Sequence, residues 1–249
     1  MVKYKLFFGD SNVRMFQHLP EVNESYKMLS IDEYKYESMD IYKYNYTNGE
    51  NVMISVFSFV GASAVGLSKE RNSKLQVGEH IMQFLRTLEK MEHNYEVEVY
   101  LFFGCVDIDF TLWYQQGKSV FEFIEYAANA YIDFIRILKK NFKGVKINIM
   151  GIHPPSITDE YFEKFCKTKE LKCEKDYIQS FEHRIFYHDM FNRLLFLYCR
   201  YDGHVYYKHI NDKMTIPAIL NKAIETSQHD VHIDLNFALK IWNELLFSN

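Results

Sequence analysis

Ser11 follows Gly9-Asp10 at the point where a short aromatic and apolar run, Lys3 to Phe8, comes to an end. The run reads as a buried strand, Gly9 as its break, and Asn12 to Leu19 as the start of a helix. That order puts a hydroxyl where a strand's carboxyl end meets a helix N-terminus, the edge at which open α/β sheets bind and react. Asp and Ser are also the favoured capping residues, so Asp10-Ser11 taken alone reads first as a cap. Further turns carry reactive side chains. Gly61-Ala62-Ser63, Gly104-Cys105-Val106-Asp107 and His153-Pro154-Pro155 each follow an apolar run, and the late segment Ser227 to Asp234 offers a histidine as a base.

Strands must hold these turns at one edge. Val52 to Val60, Val97 to Phe103 and Val145 to Ile149 are near-continuous apolar runs, as parallel strands buried on both faces require. His204 to Tyr207 reads as a fifth strand. Residues 75 to 91, 118 to 141 and 235 to 247 have apolar positions at helical spacing, clearest in Val120, Ile124, Ala127, Tyr131, Ile135 and Leu138, and residues 181 to 201 read as a long helix. Residues 20 to 50 are rich in Tyr, Lys, Glu and Asp and read as surface, with Met28 to Ile31 as a short strand and Asn48-Gly49 as a turn. Residues 158 to 178 read as a surface helix or a lid, and Thr215 to Ile224 as a weak helix. Strands alternating with helices imply parallel crossovers. The expectation is one α/β domain over residues 1 to 249: a three-layer α/β/α sandwich with a mainly parallel, flavodoxin-like sheet of about five strands.

Composition narrows the partners. The 249 residues suffice for one sizeable core, and a net charge of -4 with no basic stripe argues against nucleic acid. The 21 Phe and 19 Tyr are then packing residues. Cys105, Cys166, Cys173 and Cys199 form no CxxC pair, so neither zinc nor a disulfide framework is expected. No signal peptide is read at Met1-Val2-Lys3-Tyr4, and no apolar run reaches the roughly 20 residues of a membrane span. A cytoplasmic, reducing setting is the expectation, and the sequons at Asn23 and Asn45 read as chance. Gly117-Lys118-Ser119 lacks the first P-loop glycine, since Leu112 stands there. There is no HExxH and no GxGxxG after a strand, and His183 and His188 are spaced for different helix faces. No cofactor and no metal is expected.

Taken as ordered blocks over most of the chain, these turns resemble the SGNH/GDSL hydrolases. Gly9-Asp10-Ser11 matches the first block, Gly61-Ala62-Ser63 the block that supplies an oxyanion-hole glycine, Gly104-Cys105-Val106-Asp107 the Gly-x-Asn-Asp block, and Asp230-Val231-His232 the catalytic Asp and His. The resemblance implies a serine esterase in which Ser11 attacks an ester carbonyl, His232 carries the proton and Asp230 orients the imidazole. The backbone N–H groups of Ser11 and Gly61 would bind the oxyanion. Asp10, Ser63, Asp107, His153 and Trp113 are the candidate groove residues, although fixing their turns or packing the core is an equal or better reading for Asp10, Asp107, His153 and Trp113. The substrate would be a small-molecule or carbohydrate O-acyl ester.

Two departures stand out. Val106 occupies the place of an Asn that donates to the oxyanion, a donor whose loss costs about 10²–10³ in rate. Asp230 lies two residues before His232, where the family spacing is three and the residue is His229. An O-acyltransferase on the same scaffold, and a binding protein that has lost the activity, therefore remain open. The sequence leaves the oligomeric state open too.

Overall fold

In a computed structural model of the chain, residues 1–36, 39–49, 51–67, 76–91, 95–114, 119–156, 158–160, 162–163, 180–211 and 235–247 are described. The architecture is α/β, with a seven-stranded, mostly parallel sheet and helices on both of its faces. The strands are β1 (Val2–Gly9), β2 (Lys27–Tyr36), β3 (Met39–Thr47), β4 (Val52–Phe59), β5 (Tyr95–Phe102), β6 (Val145–Met150) and β7 (Val205–Lys208). The helices are α1 (Leu19–Val22), α2 (Val77–Met91), α3 (Cys105–Asp109), α4 (Val120–Asn141), α5 (Phe181–Asp202) and α6 (Leu235–Phe247). Ser11–His18 is a 3-10 helix that runs into α1, where a single helix was expected.

Strand order across the sheet is β2-β3-β4-β1-β5-β6-β7. β1 lies between β4 and β5, parallel to both, and β6 and β7 extend the parallel run. The parallel strands are those expected, each within a residue or two of its predicted ends. Against the expected count of about five, the sheet has seven strands among the described residues. Beyond β4 come the antiparallel strands β2, which contains and extends the short strand expected at Met28 to Ile31, and β3, which was not expected. The Tyr-rich segment read as surface is half core. Along β3 the side chains at 39 and 41, then 44 and 46, are buried.

Those tyrosines hold the 3-10 helix. Arg14 lies 4.6 Å from the Tyr42 ring centroid, Tyr44 Oη donates to Gln17 Oε1 (3.4 Å), and Tyr46 Oη donates to the Phe16 carbonyl (2.8 Å). Side chains alternate across β1 as the pleat requires. Phe7 meets Phe16 (4.5 Å between centroids) and Phe247 of α6 (6.3 Å) on one face, whereas Phe8 meets Phe84 of α2 (6.0 Å) on the other. Helices α4 and α5 pack on each other, and Tyr131 of α4 meets Phe103 edge-on (6.1 Å). A capping box, Ser119 with Glu122, starts α4.

Among the described residues no helix is long and apolar enough to cross a membrane. Most of the expected lid over 158–178, and the whole of the expected helix over 215–224, lie outside the described residues.

Candidate active site

The five parallel strands end level. Phe57, Phe8, Leu101, Ile149 and Tyr207 form one row of partners from β4 to β7. The loops that carry Gly61, Ser11, Gly104 and His153 therefore leave from one edge, as the parallel reading requires. β1 is the strand at which chain order reverses, with β4 on one side and β5 on the other, and Asp10-Ser11 leaves from its carboxyl end.

The Asp10 turn is tied to both neighbouring strands. Asp10 N donates to the Phe102 carbonyl (3.2 Å), and the Asp10 carbonyl accepts from Ser58 Oγ (3.3 Å) and Val13 N (3.3 Å). Asp10 Oδ1 accepts from both Asn12 N and Asn12 Nδ2 (2.9 Å each). Asp10 is thus the N-cap of the 3-10 helix, and Ser11 is its half-buried first residue. Gly9 is required by crowding: a Cβ there would stand 2.6 Å from the Phe102 carbonyl oxygen and closer still to the Val13 side chain.

The loops after β4 and β5 are joined by Asp107. Its Oδ2 accepts from Ala64 N (2.6 Å) and its Oδ1 from Val65 N (3.2 Å). Burial pushes this carboxyl up to about 7, against the opposing pull of those two N–H groups. Gly61, before the joined stretch, is exposed in left-handed backbone, and Ser63 Oγ accepts from Gly66 N (3.0 Å). Val106 is half-buried in α3, whose N-cap is Gly104 with φ +121°, a conformation that favours glycine and a place where a Cβ would meet the Phe191 ring.

His153 is buried within the loop after β6. Trp242 Nε1 donates to its Nε2 (2.9 Å), so that nitrogen is an acceptor, and Phe102 covers the ring at 4.9 Å. Asp10, Asp107 and His153, weighed from the sequence as groove residues or as residues that fix their turns, are all buried, at 0, 0 and 4 % exposure, with their bonds made within the turns and their supports. Trp113 falls in a 3-10 turn, Thr111–Tyr114, of which the backbone alone is described at that residue. Asp230 and His232 lie outside the described residues.

Helix α6 enters from the same edge. Lys5 Nζ donates to the Leu246 carbonyl (2.9 Å), which sets the helix C-terminus over the early part of β1. Trp242 reaches Phe102 (6.4 Å) and His153, at the strands' carboxyl ends. The helix therefore runs against the strands, and Leu235 is at its end toward the Ser11 edge.

Sequence reasoning missed the braces supplied by α5. Asn192 accepts from Ile152 N and donates to the Ile152 carbonyl (2.9 Å each), fixing the loop that bears His153. His188 Nε2 lies 2.9 Å from Asp109 Oδ1, while His188 Nδ1 meets the Arg184 carbonyl (2.7 Å). A polar Asn192 between Phe191 and Leu194-Leu195 is the signal that would have flagged a buried contact.

No family model and no curated protein matches the sequence. Among solved structures the chain is similar to one described as "a putative platelet activating factor from Streptococcus pneumonia". The two are 16% identical with a TM-score of 0.52, over 99% of this chain and 83% of the other. At that identity the likeness is one of fold.

Proposed function

We propose that the chain is a serine ester hydrolase of the SGNH/GDSL type, acting on small-molecule or carbohydrate O-acyl esters. The observation that carries this reading is the fixed Asp10-Ser11 turn at the strand where chain order reverses. In open α/β sheets that crevice is where ligands bind. Counted over the parallel strands alone, the order is 2-1-3-4-5, the flavodoxin-like order. The Asp107 tie between the second and third loops supports the block assignment, because it gives the Gly104–Asp107 turn a reason to end in a carboxylate.

The chemistry follows from the roles. Ser11 Oγ bonds to the ester carbonyl carbon as its proton passes to His232, and the carbonyl π pair moves onto oxygen. The N–H groups of Ser11 and Gly61 offset that oxyanion charge. The intermediate collapses, the C–O bond to the alcohol breaks, and His232 returns its proton to the departing alkoxide. Water then repeats the sequence on the acyl-serine and releases the carboxylic acid. His232 is three residues before Leu235, a reach of at most about 10 Å from the N-terminal end of α6. Asp230 orients the imidazole.

Hydrolysis of short p-nitrophenyl esters and an acetylated sugar tests the reading. Ser11→Ala and His232→Ala should each lower kcat by about 10³-fold or more with the fold retained. Turnover that survives both substitutions refutes it. Val106 favours a second reading, a binding protein whose site no longer turns over, since valine offers the oxyanion no donor. Folded wild-type protein that binds acylated sugars without cleaving them would select that reading. Acyl transfer to an added sugar in preference to water would instead select the O-acyltransferase.

A further inference from the structure

On the sheet face opposite the Ser11–His18 helix, a cavity of about 300 Å³ lies between helix α2 and strands β1, β3 and β4. Its floor is Phe8, Ile41, Phe57 and Phe59, each no more than 5 % exposed. Phe84 of α2 forms a wall, edge-on to Phe57 (4.6 Å between centroids), and the exposed Gln83 and Thr87 stand at the mouth. This space opens to solvent, is at the lower end of the range that small-molecule sites span, and like them is walled mainly by apolar and aromatic groups, with His80 also in its lining.

A cation stands beside it. Lys43 Nζ lies 5.5 Å from the Phe57 ring centroid and 5.8 Å from that of Phe84. Lys43 is half-buried and makes no ion pair among the described residues. Asp32 is its register partner on β2, but the Asp32 carboxylate turns to Ser30 Oγ (3.4 Å) and Asn45 Nδ2 (3.3 Å). An ammonium held over aromatic rings, with the carboxylate of its register partner engaged elsewhere, is suited to receive an anion.

We propose that this cavity binds an apolar monocarboxylate, with its hydrocarbon part among Phe8, Phe57, Phe59 and Phe84 and its carboxylate on Lys43. The site does not include Ser11 and stands whether or not Ser11 is a nucleophile.

Calorimetric titration with octanoate, and with 1-octanol as its uncharged counterpart, tests the proposal. Wild-type protein should bind octanoate saturably. Lys43→Met should weaken octanoate about tenfold and change octanol by less than about twofold. Thr87→Trp, which fills the mouth from an exposed position, should abolish binding of both without lowering Tm, and Gln83→Trp replaces it if Tm falls. Absence of saturable octanoate binding, binding unchanged by the tryptophan, or Lys43→Met leaving octanoate affinity intact would each overturn it.

Discussion

Replacing Asp107 by Asn should change the slope of stability against pH. The carboxyl is fully buried and held up at about 7, against an ordinary 3.8. Below pH 3.8 the folded and unfolded chains both carry the proton. Between 3.8 and 7 the unfolded chain releases it while the folded chain keeps it, so stability falls as pH rises through that window and levels off above it. At about 1.4 kcal/mol per pKa unit, the fall is about 4 kcal/mol. Asparagine has no proton to lose. Its carbonyl can replace the bond from Ala64 N, but its amide then faces Val65 N–H, and one lost bond costs about 1–2 kcal/mol. Asp107→Asn should therefore be less stable than wild type near pH 4, equal near pH 4.5 to 5, and more stable by about 2–3 kcal/mol above pH 7. Urea melts at half-unit pH steps from 4 to 8 give the two curves. Curves that stay parallel would refute the argument, because the buried carboxylate would then carry no penalty.

Other expectations concern the supports of the site. Burial pushes the Glu98 carboxyl up, but hydrogen bonds from Tyr100 Oη (2.8 Å), Lys146 Nζ (3.0 Å) and Lys3 Nζ (3.2 Å) outweigh it and set it at about 2. Its roughly 3 kcal/mol of stability is present above pH 4.5 and lost as pH falls through 2, so Glu98→Gln should flatten the acid limb of the melts. Gly9→Ala should cost about 2–3 kcal/mol, because its Cβ meets the Phe102 carbonyl and Val13, and a drop in Tm together with slower acylation of Ser11 would report it. Trp242→Phe removes the N–H given to His153 and should cost about 1–2 kcal/mol in urea melts, and an unchanged midpoint would mean the bond contributes nothing.

What could be read in advance depended on how strongly a residue type declares its surroundings. Val52 to Val60 and Val97 to Phe103 are near-continuous apolar runs of the kind that strands buried in a parallel sheet need, so their places were legible. Tyr42, Tyr44 and Tyr46 were not. Tyrosine is at home half-buried, with its ring packed and its hydroxyl bonded, so a Tyr- and Lys-rich hairpin reads as surface until its partner strand is known. Ser11 was marked by the break from apolar run to Gly-Asp, a local signal. The carboxylate tie of Asp107 to Ala64 and Val65, the clasp of Asn192 on Ile152, and the Trp242 bond to His153 join residues distant in sequence, and no spacing rule announces them. Asp107 shows the limit well: its block suggested either substrate contact or a part in fixing its own turn, whereas the bonds it accepts reach across to a second loop.

The most direct test of the central claim is labelling of the folded protein with a fluorophosphonate probe, followed by peptide mapping. The account predicts a single phosphonylated site at Ser11, lost in Ser11→Ala and strongly slowed in His232→Ala. Folded wild-type protein that takes up no probe, or takes it up at another residue, would contradict an activated serine at this turn.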